Sequence, residues 1–265
     1  MLVKSEAIVL HAFKYGETRL IVDVFTRQSG RLSFITSMPK TAKGRLKKQY
    51  FQPLTLLEVE YDHHPKVQLQ KMRDARLLSP YVSIPFEPTK LSIALFIAEF
   101  LYHALKGEQQ NTPLFDYVRY SVEWLDGCTA AAANFHLVFL IHMSRFLGFY
   151  PNIEERGTRS EERGTRSEER GTRNEEGGTR REERFFDLRE GRFCATAPLH
   201  RDFLVPEDAS KMAVLMRMDY PTMHLFRMSH DDRRRLLDTA VLYYRLHLPD
   251  FPELKSLAVL EEMYR

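Results

Sequence analysis

The chain has 265 residues, 43% of them hydrophobic, which supports a core, excludes disorder along the whole length, and allows two modest domains or one large one at about 100–200 residues per domain. Its 39 Lys and Arg against 36 Asp and Glu leave a formal charge of +3, which alone says little about partners. Two cysteines, Cys128 and Cys194, exclude a disulfide scaffold and a zinc site built from three or four thiolates.

The first eighty residues read as strands. The start, MLVKSEAIVLHAFKYGE, carries no small-residue cleavage site, so no signal peptide is expected. Residues 3–11 hold the apolar run AIVL, and a turn at Tyr15-Gly16-Glu17 follows. RLIVDVFT alternates, with Leu20, Val22 and Val24 opposite Asp23. After the turn Gln28-Ser29-Gly30, RLSFITS sets Leu32 and Phe34 against Arg31 and Ser33. LTLLEVEY puts Leu57, Val59 and Tyr61 on one face, and VQLQ sets Val67 and Leu69 against Gln68 and Gln70. Period-two alternation between Gly and Pro turns marks half-buried strands, and five of them suit a small barrel of the OB type.

Between the third and fourth strands lies PKTAKGRLKKQYF. Lys40, Lys43, Arg45, Lys47 and Lys48 crowd nine residues, followed by Tyr50 and Phe51. Residues 1–80 carry 14 basic against 7 acidic groups, a local +7, whereas every later part is within two charges of balance. Such a concentration points to a polyanion. The linker cations, with Arg19 and Arg31 nearby, would neutralise phosphates, and Tyr50 would stack on bases or, with Phe51, plug one end of the barrel.

From Pro88 the pattern is helical. TKLSIALFIAEFLYHAL is apolar on most faces and carries Glu99, read as an ion pair or a cap to a neighbouring element. TPLFDYVRYSVEWLDG opens on Thr112 as N-cap with Pro113 at N1. AAANFHLVFLIHMSRFLGF is a third helix, closed by Gly148. Most of it falls in the longest stretch free of Asp, Glu, Lys and Arg, Gly127 to Ser144, which Asn134, His136 and His142 interrupt. It is expected to be a core helix in a cytoplasmic protein. Residues 154–184 repeat EERGTRS with a period of seven and no apolar residue in any unit, so no coiled-coil seam exists and a disordered tandem-duplication insert is expected. FFDLREGRF reads as a hairpin turning at Glu190-Gly191. PEDASKMAVLMRM, the Ser229-capped SHDDRRRLLDTAVLYYRLHL and SLAVLEEMY are further helices. The expected class is therefore α+β: an OB-type five-stranded barrel over 1–80, then a mostly helical domain over 81–153 and 185–265 with a small hairpin, interrupted by the insert.

Chemistry-bearing motifs are absent. No G-x-x-x-x-G-K-[ST], G-x-S-x-G, H-E-x-x-H or C-x-x-C is present. His63-His64 has no third ligand nearby. His136 and His142 fall on different helix faces. No catalytic residue and no metal ligand is assigned.

The order and wording of these segments resemble the RecO family of bacterial recombination and repair mediators. YGETRLIVDVFTRQSGRLSFITS looks like that family's first barrel hairpins, and QPLTLLEVEY is similar to its fourth strand. The Glu99-bearing helix, NTPLFDYVRYSVEWL, FLIHMSRFLGFYP and FPELKSLAVLEEMY follow the family's order. The resemblance implies a non-enzymatic, nucleoid-associated protein that binds single- and double-stranded DNA and anneals complementary strands. It also implies help in loading recombinase onto DNA coated by single-strand-binding protein, a partnership with RecR, and a helical domain that receives the acidic tail of single-strand-binding protein. Arg119 and Arg145, flanked by apolar residues on their helices, are the candidate cations for that tail. Many members carry a four-cysteine zinc site after the Gly-x-x-Pro region. Here only Cys194 lies downstream of Phe149-Tyr150-Pro151, so zinc is not carried over and the local fold must rest on Phe185, Phe186, Leu188 and Phe193. The alternative is an RNA-binding OB protein of translation or RNA metabolism, since a barrel alone does not choose between DNA and RNA.

Overall fold

The computed structural model describes residues 1–37, 48–129, 132–152 and 184–262. Lys40, Lys43, Arg45, Lys47, the Lys48 side chain and residues 154–183 of the repeat tract lie outside the described residues. Five strands, β1 (Leu2–Tyr15), β2 (Arg19–Thr26), β3 (Gly30–Ser37), β4 (Leu56–Asp62) and β5 (Leu69–Leu77), close into a barrel in the order β1-β2-β3-β5-β4. All pairs are antiparallel except β3 with β5. The alternation explains the interior: Val22, Val24, Phe34, Leu57, Val59 and Tyr61 are fully buried in one cluster. Phe51, on the 3-10 turn Lys48–Phe51, joins that cluster at 5% exposure, and Tyr50 packs against it half-buried. These two aromatics therefore plug the barrel.

One strand departs from expectation. β5 begins at Leu69 and runs on through KMRDARL, and Gln70, expected to face out, is buried at 1% exposure while Val67 is 48% exposed. The Gln70 amide donates to the carbonyls of His64 (2.8 Å) and Val67 (2.6 Å), and its oxygen accepts from the His64 N–H (3.0 Å). Full hydrogen bonding makes a buried amide tolerable, and alternation alone does not register it.

The barrel and the helices α1 (Pro88–Ala104), α2 (Thr112–Gly127), α3 (Phe135–Met143), α5 (His230–His247) and α6 (Lys255–Glu262) belong to one compact unit, Met1–Tyr150 with Leu215–Arg265. α1 is buried nearly all round: Ile93, Phe96, Ile97, Phe100 and Leu101 are fully enclosed. Phe100 meets Tyr244 edge-on at 4.7 Å and Phe139 at 6.3 Å. α2 is capped by Asn111, not Thr112; the Asn111 side chain accepts from the Leu114 N–H at 3.1 Å. α3 stops at Met143, short of the expected span, and the chain turns out through Gly148 at φ +85°. No helix among the described residues is long and apolar enough to cross a membrane.

Glu99 is a cap, as expected. Its carboxylate accepts from the Lys255 N–H (3.0 Å), the Ser256 N–H (2.7 Å) and the Ser256 hydroxyl, tying α1 to the start of α6. Burial pushes the Glu99 carboxyl up, but the Ser256 and Lys255 hydrogen bonds outweigh it and hold it below its ordinary value of 4.5. Because the folded value is depressed, this contribution is complete above pH 4.5 and is lost as pH falls through the folded value. Glu99→Ala should cost about 1 kcal/mol, as lost caps do. In a melting-temperature series against pH, the wild-type advantage over the variant should shrink below pH 4.5. A difference that does not change with pH would mean the carboxylate does not hold α6.

The second compact unit, Pro151–Val214, is built on a three-stranded sheet ordered β7-β6-β8, from β6 (Phe185–Asp187), β7 (Arg192–Cys194) and β8 (Phe203–Leu204). The expected hairpin turns through Gly191 at φ +62°, and β8 adds a third strand. The Asp187 carboxylate accepts from the N–H groups of Arg189 (2.8 Å) and Glu190 (3.1 Å), which fixes the turn. Phe186 and Leu188 are buried, and Phe186 meets Phe193 at 4.9 Å. A four-thiolate zinc site does not fit a chain with two cysteines. α4 (Pro206–Arg217) follows β8.

Candidate nucleic-acid interface

Side chains on the outer face of β1, β2 and β3 can be read level by level from the strand register. At one end the opposed pair Ile8 and Phe25 is fully buried, and Phe25 meets Phe115 of α2 at 5.7 Å. An ion-pair chain closes this seam. Arg27 binds Glu6 (2.9 Å) and Asp116 (3.0 Å), and Arg119 binds Glu6 (2.7 Å) and Glu123 (2.9 Å).

The next level, His11, Asp23 and Ser33, lies where α1 ends. The His11 ring is 4.9 Å from Tyr102, and Arg31 stacks over Tyr102 at 4.4 Å while donating to the Tyr102 carbonyl. The Arg31 backbone N–H donates to the Glu108 carbonyl at 3.0 Å. At these two levels the helices cover the outer face of β1, β2 and β3.

Beyond this level no helix among the described residues is seen to pack on the face. Phe13, Ile21, Ile35 and Lys71 stand opposite one another in register across β1, β2, β3 and β5. Phe13 is 41% exposed, Ile21 and Ile35 are half-buried, and Lys71 is exposed. The last level is Tyr15, Arg19 and Ser37, and from Ser37 the basic linker departs. Apolar and aromatic surface bordered by cations can hold bases while the cations meet phosphates.

Those residues singled out from sequence that are described fall in separate places. Arg19 is exposed on this open rim. Arg31 is tied to Tyr102 and lies 3.8 Å from Asp23, with a side chain only 14% exposed, so it joins barrel to helix. Tyr50 sits on the plug. Arg119, on α2, is committed to two carboxylates, whereas Arg145 lies in the turn after α3 and not on the helix as expected, exposed, stacked over Tyr150 at 4.1 Å and bonded to its hydroxyl at 2.8 Å. Phe13, Tyr15, Ile21, Ile35 and Lys71 were not among those residues; the alternation of His11, Phe13 and Tyr15 in HAFKY is the signal that marks them. Among the described residues no group of three His, Cys, Asp or Glu is placed to hold a metal ion. His136, a possible acid–base group, is fully enclosed, and burial with nearby Arg233 pushes it down to about 3, so it stays neutral at physiological pH.

The chain matches two family models, Recombination protein O N terminal over residues 1–81 and Recombination protein O C terminal over residues 85–258. It is similar to the DNA repair protein RecO of Phocaeicola vulgatus, at 46% identity over 264 residues, and to that of Bacteroides fragilis, at 43% over 265. Its identity to the DNA repair protein RecO of Porphyromonas gingivalis is 33% over 268 residues. Each alignment covers 100% of both chains.

Proposed function

The chain belongs to the RecO family of DNA repair proteins, and from that premise we propose that it is a recombination mediator acting as an assembly factor and not as an enzyme. In this role it binds single- and double-stranded DNA, anneals complementary strands, and with RecR helps recombinase onto strands coated by single-strand-binding protein. It works in the cytoplasm, at the nucleoid. The observation that carries this proposal is the exposed surface of Phe13, Tyr15, Arg19 and Lys71 on the barrel, in the one part of the chain with a local charge of +7. Phosphate contacts would come from Arg19, Lys40, Lys43, Arg45, Lys47 and Lys48.

The test is annealing of complementary strands precoated with the host's single-strand-binding protein, with and without RecR. The expected result is faster annealing with the chain present and a further change when RecR is added. No acceleration on coated or naked strands would refute the mediator role, and tighter binding to a matched RNA than to DNA would favour an RNA-binding role.

For the tail of single-strand-binding protein, an apolar groove of about 450 Å³ opens between the end of α2 and residues 220–224, lined by Trp124, Tyr220, Pro221 and Met223; Arg145, in the turn after α3, is the more exposed of the two candidate cations. Arg119, already holding Glu6 and Glu123, is the weaker of the two candidates. Arg145→Ala should lower affinity for a peptide copying that tail by about 1.5–3 kcal/mol, the range of a charge-assisted hydrogen bond, and leave naked-DNA binding unchanged. Normal peptide binding by the variant would remove Arg145 from the site.

A further inference from the structure

We infer that the exposed end of the outer face of β1, β2 and β3 is a stacking platform for unpaired bases, with Phe13 and Tyr15 as its rings, and that it makes the chain favour single strands over duplex. The inference rests on the DNA-binding role proposed above and adds to it the form of DNA selected.

Phe13 and Tyr15 are 41% and 53% exposed, two residues apart on one face of β1. Neither belongs to the barrel core. Scattered exposed apolar residues are ordinary, but Phe13, Ile21 and Ile35 are adjacent across three strands, and a contiguous patch of that kind marks an interaction surface. The charges around it indicate which partner. Lys71 ends the Phe13 row, and Arg19 stands opposite Tyr15. Rings flanked by cations suit a chain that carries flat apolar faces inside and anions outside, as a single strand does.

The spacing agrees. Residues i and i+2 of a strand lie about 6.8 Å apart. That is twice the roughly 3.4 Å repeat of stacked bases, so one base fits between the two rings, or one over each. Phe13 is also held from behind: His11 is 5.5 Å from it, and Tyr102 backs His11 at 4.9 Å. In a duplex the base faces are already stacked on one another. The platform then has nothing to receive, and only the cations contribute. This difference is the source of the selectivity.

The test is binding of a labelled oligothymidine and of a duplex of equal length by the full chain and its Phe13→Ala, Tyr15→Ala and Phe13→Trp variants. Each alanine should weaken single-strand binding by roughly 5- to 100-fold, as loss of one base–aromatic stack does. Duplex affinity should stay within about twofold and the salt dependence should be unchanged, because no phosphate contact is removed. Phe13→Trp should retain single-strand binding. Equal losses on both DNAs, or no loss on either, would overturn the platform, and so would normal DNA binding with lost RecR binding, which would assign the face to a protein. Failure of the DNA-binding role itself would look different: the wild-type chain would bind neither DNA.

Discussion

Replacing Lys43, Arg45, Lys47 and Lys48 with alanine should weaken single-stranded DNA binding about 200-fold at 0.15 M salt. Each neutralised phosphate contributes a slope of roughly −0.7 to log affinity against log salt on single strands and roughly −0.9 on duplex. Five linker cations would therefore give slopes near −3.5 and −4.5, and the quadruple variant should flatten them by about 2.8 and 3.6. Extrapolated from 1 M to 0.15 M salt, four lost contacts amount to about 2.3 decades on single strands. Since phosphates carry no sequence information, the loss should be similar for any base composition. The four substitutions leave the apolar residues of the barrel cluster in place, so melting temperature should hold. An unchanged slope in the variant would show that the local charge of +7 serves another purpose.

The largest effect on stability is expected at Gly30. It adopts φ +71°, the left-handed region, at the turn between β2 and β3. A Cβ there would lie 2.4 Å from the Gln109 carbonyl carbon and 2.5 Å from the Glu108 oxygen. Those atoms belong to the backbone beyond α1, and the neighbouring Arg31 N–H is bonded to the same Glu108 oxygen, so neither side can shift alone. Gly30→Ala should combine a conformational cost of about 1–2 kcal/mol with an overpacking cost of about 1–3 kcal/mol. Together these lower the melting temperature by about 4–20 °C at roughly 2–4 °C per kcal/mol. Gly16→Ala is the control. Its φ is +64°, but nothing lies within 4 Å of the added carbon, so only the conformational cost applies. Equal losses at the two glycines would contradict the close approach of the barrel to the Glu108–Gln109 backbone.

The barrel was legible because its signal is local. Val22, Val24, Phe34, Val59 and Tyr61 alternate with polar neighbours, and their burial follows directly. Glu99 was legible for the opposite reason: a carboxylate in an otherwise apolar helix needs partners, and Lys255 and Ser256 supply them. Gln70 was not legible, because its burial depends on a loop folding back to meet its amide. Arg31 was not legible either. Sequence places it beside the other cations, but only the packing of α1 on the barrel brings Tyr102 against it. The open face shares that origin. Phe13, Ile21 and Phe25 are outward positions alike, and which of them stays open is decided by where α2 lands.

The most direct test of the barrel as the DNA-binding element is hydrogen exchange of the full chain with and without a saturating single-stranded oligonucleotide. Protection should appear in residues 11–21 and 33–50 and leave α2 and α5 unchanged. Protection confined to the helices, with none on the barrel, would contradict it.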